Sequence, residues 1–170
     1  AEVPVPALTA QVVDSTGTLS NEQQAALIQK LQAFEAAKGS QIAVLLVQTT
    51  QAEPIEQYAL RVAESWKIGR KGVDDGAILV VALQDRALRI EVGYGLEGAL
   101  TDITSKRIIE EVIIPQFRQG DVAGGVAAGV DQMIRVIEGE PLPEPSPANT
   151  SNGSNTIEDI APVVFMLALF

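Results

Sequence analysis

The chain has 170 residues, 46% of them apolar, which is enough for one domain with a hydrophobic core. Its 22 acidic residues against 12 basic ones leave a formal charge of −10, which repels phosphate backbones and argues against a nucleic-acid binder. With no His and no Cys, serine–histidine triads, thiol nucleophiles, the usual zinc sites and disulfides are excluded, so any chemistry falls to carboxylates and oxygen ligands.

The opening Ala1-Glu2-Val3-Pro4, without Met, fits cleavage of a signal peptide after a small residue; a trimmed chain would begin the same way. Val12 and Val13 suit a short strand. Ser20, with Gln23 three residues on, reads as a capping box that opens a helix, whose Leu27, Leu31 and Phe34 share one face before Gly39 stops it. Residues 41–47 (QIAVLLV) form a nearly continuous apolar run of strand length, the pattern of a strand covered on both faces. Pro54 starts a second helix, with Ile55, Tyr58, Val62 and Trp66 at helical spacing and Trp66 as a core anchor.

Residues 76–83 predict a second buried strand, and 88–92 an alternating one with Arg89 and Glu91 facing outward. Their short connection makes them a hairpin, and the alternation places the second arm toward a sheet edge. Thr101 or Asp102 caps a third helix carrying Ile108, Ile109, Val112 and Ile113 and interrupted near Pro115. Asp121 opens a last helix with Val122, Val126, Val130, Met133 and Ile137 on one stripe. The fold class is α/β: a small mixed sheet, with a parallel core plus an antiparallel hairpin strand, sandwiched by about four helices.

Beyond a domain over 1–139, residues 140–156 are rich in Pro, Ser and Asn, a composition suited to a solvated linker. The end of the chain, 157–170, contains an uncharged run over 160–170 that is shorter than the roughly twenty residues of a membrane span. It reads as the start of a transmembrane segment, with a short tail packed on the core as the other reading.

If the strands over 41–47 and 77–83 are parallel, the hairpin returns the chain at Val92 to the end of the sheet where Gly76 begins. Asp74-Asp75-Gly76 and the loop 93–98 (GYGLEG) then lie side by side, with Asp102 in reach. Carboxylates on glycine-rich loops that can turn carbonyls inward suit a hard divalent cation, which takes six to eight oxygens if it is calcium. They also suit plain solvated loop acids with capping duties. The loop 93–98 matches the G-x-G-x-x-G of dinucleotide sites, but it follows a hairpin arm, opens no helix, and sets Glu97 where a pyrophosphate would sit.

Asp14 with the run 17–20 (GTLS), Trp66-Lys67-Ile68-Gly69, the run 71–76 (KGVDDG), the run 89–98 (RIEVGYGLEG) and Thr101-Asp102 resemble, in order and spacing, the TPM domain family, and Pro115-Gln116-Phe117 and Gly120-Asp121 continue the match. The resemblance spans residues 8–138. It implies a secreted or lumenal domain, periplasmic or otherwise extracytoplasmic, anchored to the membrane through its C-terminal segment. It also implies metal loops at one end of the sheet, with Asp74, Asp75, Glu97 and Asp102 as the matching acids and Asp14 as a further candidate. Family members include a plant thylakoid-lumen protein described as an acid phosphatase and an auxiliary protein of acetylcholine receptors. Two functions follow as expectations. One is a membrane-tethered module that binds a divalent cation, calcium before magnesium, with a structural or interaction role toward a membrane-protein partner. The other is a metal-assisted acid phosphatase, with Asp74 or Asp75 as nucleophile or base.

Overall fold

The computed structural model describes residues 2–140 and Leu142; apart from Glu140 and Leu142, the linker expected over 140–156 and the apolar segment over 157–170 lie outside the described residues. Strands β1 (Val12–Asp14), β2 (Gln41–Val47), β3 (Gly76–Ala82) and β4 (Ala87–Val92) form one sheet in the order β1-β2-β3-β4. The first three run parallel and β4 closes the sheet antiparallel to β3, the mixed sheet that the apolar runs imply. Side chains alternate across it: Ile42, Val44 and Leu46 of β2 enter one core, Ala43, Leu45 and Val47 the other. Burying a side chain of this size contributes about 1.5–3 kcal/mol, so these two cores outweigh any single surface pair.

The first face is covered by α1 (Asn21–Lys38), by α3 (Asp102–Arg107) with α4 (Ile114–Arg118), and by α5 (Val122–Ile137). The capping box of α1 is formed: the Gln23 amide donates to Ser20 Oγ at 3.1 Å and the Ser20 amide to Gln23 Oε1 at 2.8 Å. Thr101, rather than Asp102, caps α3, its hydroxyl accepting from the Thr104 amide at 3.1 Å. Pro115 does not interrupt the helix. Between α3 and α4 the residues Ile108–Ile113 widen into a π-helical turn, in which the Ile114 amide reaches back five residues to the Ile109 carbonyl. The missing N–H of Pro115 is absorbed there, and the segment stays helical.

Among the described residues the second face carries only one helix, α2 (Ile55–Trp66), with Ile55, Tyr58, Ala59, Val62 and Trp66 turned inward. A helix is about 10 Å across whereas strands lie about 4.8 Å apart, so α2 alone leaves part of a four-stranded sheet bare. The N-terminal residues complete the cover. Val3 and Val5 pack on this core, Trp66 Nε1 donates to the Pro6 carbonyl at 2.7 Å, and Arg61 Nη2 donates to the Val3 carbonyl at 2.9 Å. Arg61 is itself held by Glu53 at 2.7 Å and lies over the Tyr58 ring. Among the described residues no helix is long and apolar enough to cross a membrane.

Candidate functional site

Strand β4 ends where β3 begins, Val92 opposite Ala77, so the loop before β3 and the loop after β4 meet at one corner of the sheet. They are joined through their backbones: the Gly93 amide donates to the Gly76 carbonyl at 2.7 Å and the Gly95 amide to the Asp74 carbonyl at 2.9 Å. The approach is too close for side chains, since a Cβ on Gly93 would stand 2.4 Å from the Asp74 oxygen and one on Gly95 2.0 Å from the Val73 oxygen. The chain then makes a short 3-10 turn over Tyr94–Leu96 and tightens through Leu100 N–H to Leu96 O at 2.8 Å before α3 starts.

The acidic residues divide sharply. Asp75 is buried, 3% exposed, and is fully engaged: its Oδ1 accepts from the Arg70 amide at 2.8 Å and its Oδ2 from Arg70 Nε at 2.9 Å and Nη2 at 2.6 Å. Burial pushes its pKa up, but the bonds and charge of Arg70 outweigh that and hold the carboxyl below the usual aspartate range. Its carbonyl accepts from the Gln41 amide at 3.0 Å, tying the loop to the start of β2. Asp74 has φ 54, in the left-handed region, and is exposed. Glu97 and Asp102 are exposed as well.

Asp14 lies elsewhere. It pairs with Leu46 at the C-terminal end of the parallel strands, the end opposite Gly76. Its carboxylate accepts from the Thr16 amide and hydroxyl and from the Leu19 amide, which folds the turn into α1.

The family model of the TPM domain matches residues 12–136. The chain belongs to this family. A solution structure of the N-terminal domain of a Porphyromonas gingivalis protein is 35% identical, with a TM-score of 0.74, covering 79% of this chain and 89% of that one. The N-terminal domain of the cg2496 protein of Corynebacterium glutamicum, 19% identical, has a TM-score of 0.60 over 91% of this chain and 90% of that one. The BA42 protein of Bizionia argentinensis, 18% identical, has a TM-score of 0.56 over 72% and 83%. These last two show the shared fold alone. No curated protein matches the chain in sequence.

In this TPM domain the loops expected to meet do meet, but their carboxylates are not pooled. Oxygen donors suit a hard cation, yet Arg70 occupies Asp75 and Asp14 is at the other end of the sheet. Among the described residues no three acidic side chains are grouped closely enough to hold one ion between them. Beside the exposed Asp74 and Glu97 the two loops present Tyr94, 81% exposed, and Val73, 45% exposed; Ile103, in the first turn of α3, is 74% exposed. Sequence reasoning gave Tyr94, Val73 and Ile103 no role. The one signal for Tyr94 is an aromatic side chain placed between two glycines, where no core periodicity claims it.

Proposed function

We propose that this TPM domain is an extracytoplasmic, membrane-tethered binding module whose working surface is the corner formed by residues 73–76 and 93–103. The observation that carries this reading is the contrast within the corner. Its backbone is locked by close glycine contacts and by the Arg70–Asp75 pair, while Asp74, Tyr94, Glu97 and Ile103 stand in solvent. A rigid mount with exposed side chains loses little freedom on binding.

Calcium, with magnesium second, is loosely held by Asp74 and Glu97, its shell completed by peptide oxygens and water. Such a site belongs to the weak range of extracellular modules, about 10⁻⁴–10⁻³ M. The linker composition over 140–156 and the uncharged run over 160–170 support the tether. A calcium titration read through backbone amide shifts tests the cation, with movement expected at Asp74 and Glu97; a flat response up to 10-fold above that range removes the ion from the reading. Recovery of the full-length protein in the soluble fraction of its host would remove the tether.

An acid phosphatase is the second reading, favoured by one observation: Arg70 is 54% exposed and could offer part of its guanidinium to a phosphate. Asp75, bound through both oxygens, is a poor nucleophile there, which leaves Asp74. Turnover of p-nitrophenyl phosphate at acidic pH that is lost in Asp74→Asn would promote this reading, and inactivity retires it.

A further inference from the structure

We infer that the surface along α2 formed by Tyr58, Arg61 and Trp66 is a reading site for extended X-Pro-X-Pro segments with apolar X, filled here by the chain's own residues 3–6 and open to a like segment of a partner protein when these leave. The inference does not rest on the corner. In the run Val3-Pro4-Val5-Pro6 each residue is either a proline, with φ fixed at about −65°, or precedes one and is steered away from the helical region. Such a segment is extended before it docks and loses little freedom in docking. Its prolines carry no N–H, so it is read through its carbonyls. Arg61 Nη2 donates to the Val3 oxygen at 2.9 Å, the Tyr58 hydroxyl to the Pro4 oxygen at 3.4 Å and Trp66 Nε1 to the Pro6 oxygen at 2.7 Å. Aromatic-lined seats of this kind are how proline-rich segments are recognised between proteins.

The seat is held by contacts other than those to its occupant. Glu53 accepts from Arg61 Nε at 3.0 Å and from Nη2 at 2.7 Å, which keeps the guanidinium over the Tyr58 ring, and Tyr58 is fixed in the second core. Arg61 is balanced by Glu53 and Glu2, so the seat selects on backbone and proline rather than on charge. The occupant fills it loosely. Val3 and Val5 are half-buried and Pro4 is exposed, and an open cleft of about 360 Å³ separates Val3, Pro4 and Pro6 from Ser15, Val47 and Thr49, room for an apolar side chain larger than valine. Linkage through the chain gives residues 3–6 an effective concentration on the order of millimolar, which a partner segment must match to displace them.

The test uses the full chain carrying Val3→Ser and Val5→Ser, which removes both apolar anchors of the segment and alters no residue of α2 or the sheet. It is titrated with an acetylated, amidated peptide of residues 2–7 (EVPVPA) and with the counterpart that has alanine at both proline positions. Saturable amide shifts over residues 53–66 are expected with the proline peptide, with Trp66 emission moving to shorter wavelength, and binding at least tenfold weaker with the alanine peptide. The unaltered chain should bind the proline peptide at the same residues at least tenfold more weakly than the serine variant, because its own segment competes. Its preference for proline over alanine decides the matter should the serine variant fold poorly. Equal affinity for the two peptides, no saturable response in either chain, or equal binding by both chains overturns the inference. So do shifts at these residues that follow the chain's own concentration, which would mean that residues 3–6 exchange between copies.

Discussion

Arg70 and Asp75, five residues apart in one loop, close a ring in which both the backbone amide and the guanidinium of the arginine donate to the aspartate carboxylate. The pair does at this corner what a metal would do in a cation-bound loop: it satisfies buried carboxylate oxygens and fixes the turn. The Asp75 side chain is 4% exposed and that of Arg70 54%, so the arginine could return to water but the aspartate could not.

Asp75→Asn keeps the shape but leaves the site with an amide facing Arg70. A loss of about 1–3 kcal/mol is expected, the scale of a buried group left imperfectly paired, since solvent screens part of the guanidinium's contribution. Urea unfolding measures it, and a loss below a few tenths would mean the pair does not hold the loop.

Because the folded-state pKa of Asp75 is depressed, and that of Glu53 is lowered by its bond to Arg61, each contributes stability that is fully present above the unfolded carboxyl value. That contribution disappears as pH falls through the lower folded values. Thermal melting should therefore be flat near neutrality and decline below about pH 4, with a shallower decline in Asp75→Asn. A melting temperature rising toward pH 3 would contradict the assignment.

Gly95→Ala places a methyl group 2.0 Å from the Val73 oxygen, whereas Gly98→Ala meets nothing within 4 Å. The first should cost about 1–3 kcal/mol or more as the loops separate, the second no more than about 1 kcal/mol. Chemical denaturation of the two variants side by side checks this, and equal effects would show that the loops are not held by close packing.

Trp66 is the sole tryptophan, so its fluorescence reports on the N-terminal cover. Trp66→Phe loses the bond to the Pro6 carbonyl and part of the indole's packing, about 1–3 kcal/mol, and Trp66→Ala opens the second core at about 3–5 kcal/mol. Deleting residues 2–6 should shift the emission to longer wavelength and lower the melting temperature. Unchanged emission would mean that these residues do not seal the indole.

Strands and helices were legible because burial writes a period into the chain. The apolar runs over 41–47 and 76–82 are buried on both faces, and Leu27, Leu31 and Phe34 line the inner side of α1. The meeting of the two glycine loops followed from topology, since a parallel pair plus a hairpin returns the chain to its own start. The fate of each carboxylate was not legible. Asp74 and Asp75 are adjacent and chemically alike, yet Asp74, with a left-handed backbone, is exposed and Asp75 is bound to Arg70, a division that residue type does not encode. Pro115 misled for a related reason: periodicity registers a missing N–H but not the wider turn at Ile108–Ile113 that accommodates it.

In the sheet every strand pairs with the one made just before it, β1 with β2, β2 with β3 and β3 with β4. Assembly can therefore proceed in one direction as the polypeptide emerges, but the parallel pairs β1–β2 and β2–β3 form only after their helical crossovers, which makes them slow contacts. The late step is the docking of α5 back onto α1, where Lys30 meets Asp131. Until it occurs, the nascent sheet keeps one greasy side partly open, and a chain stalled before residue 122 would be the species most prone to aggregate.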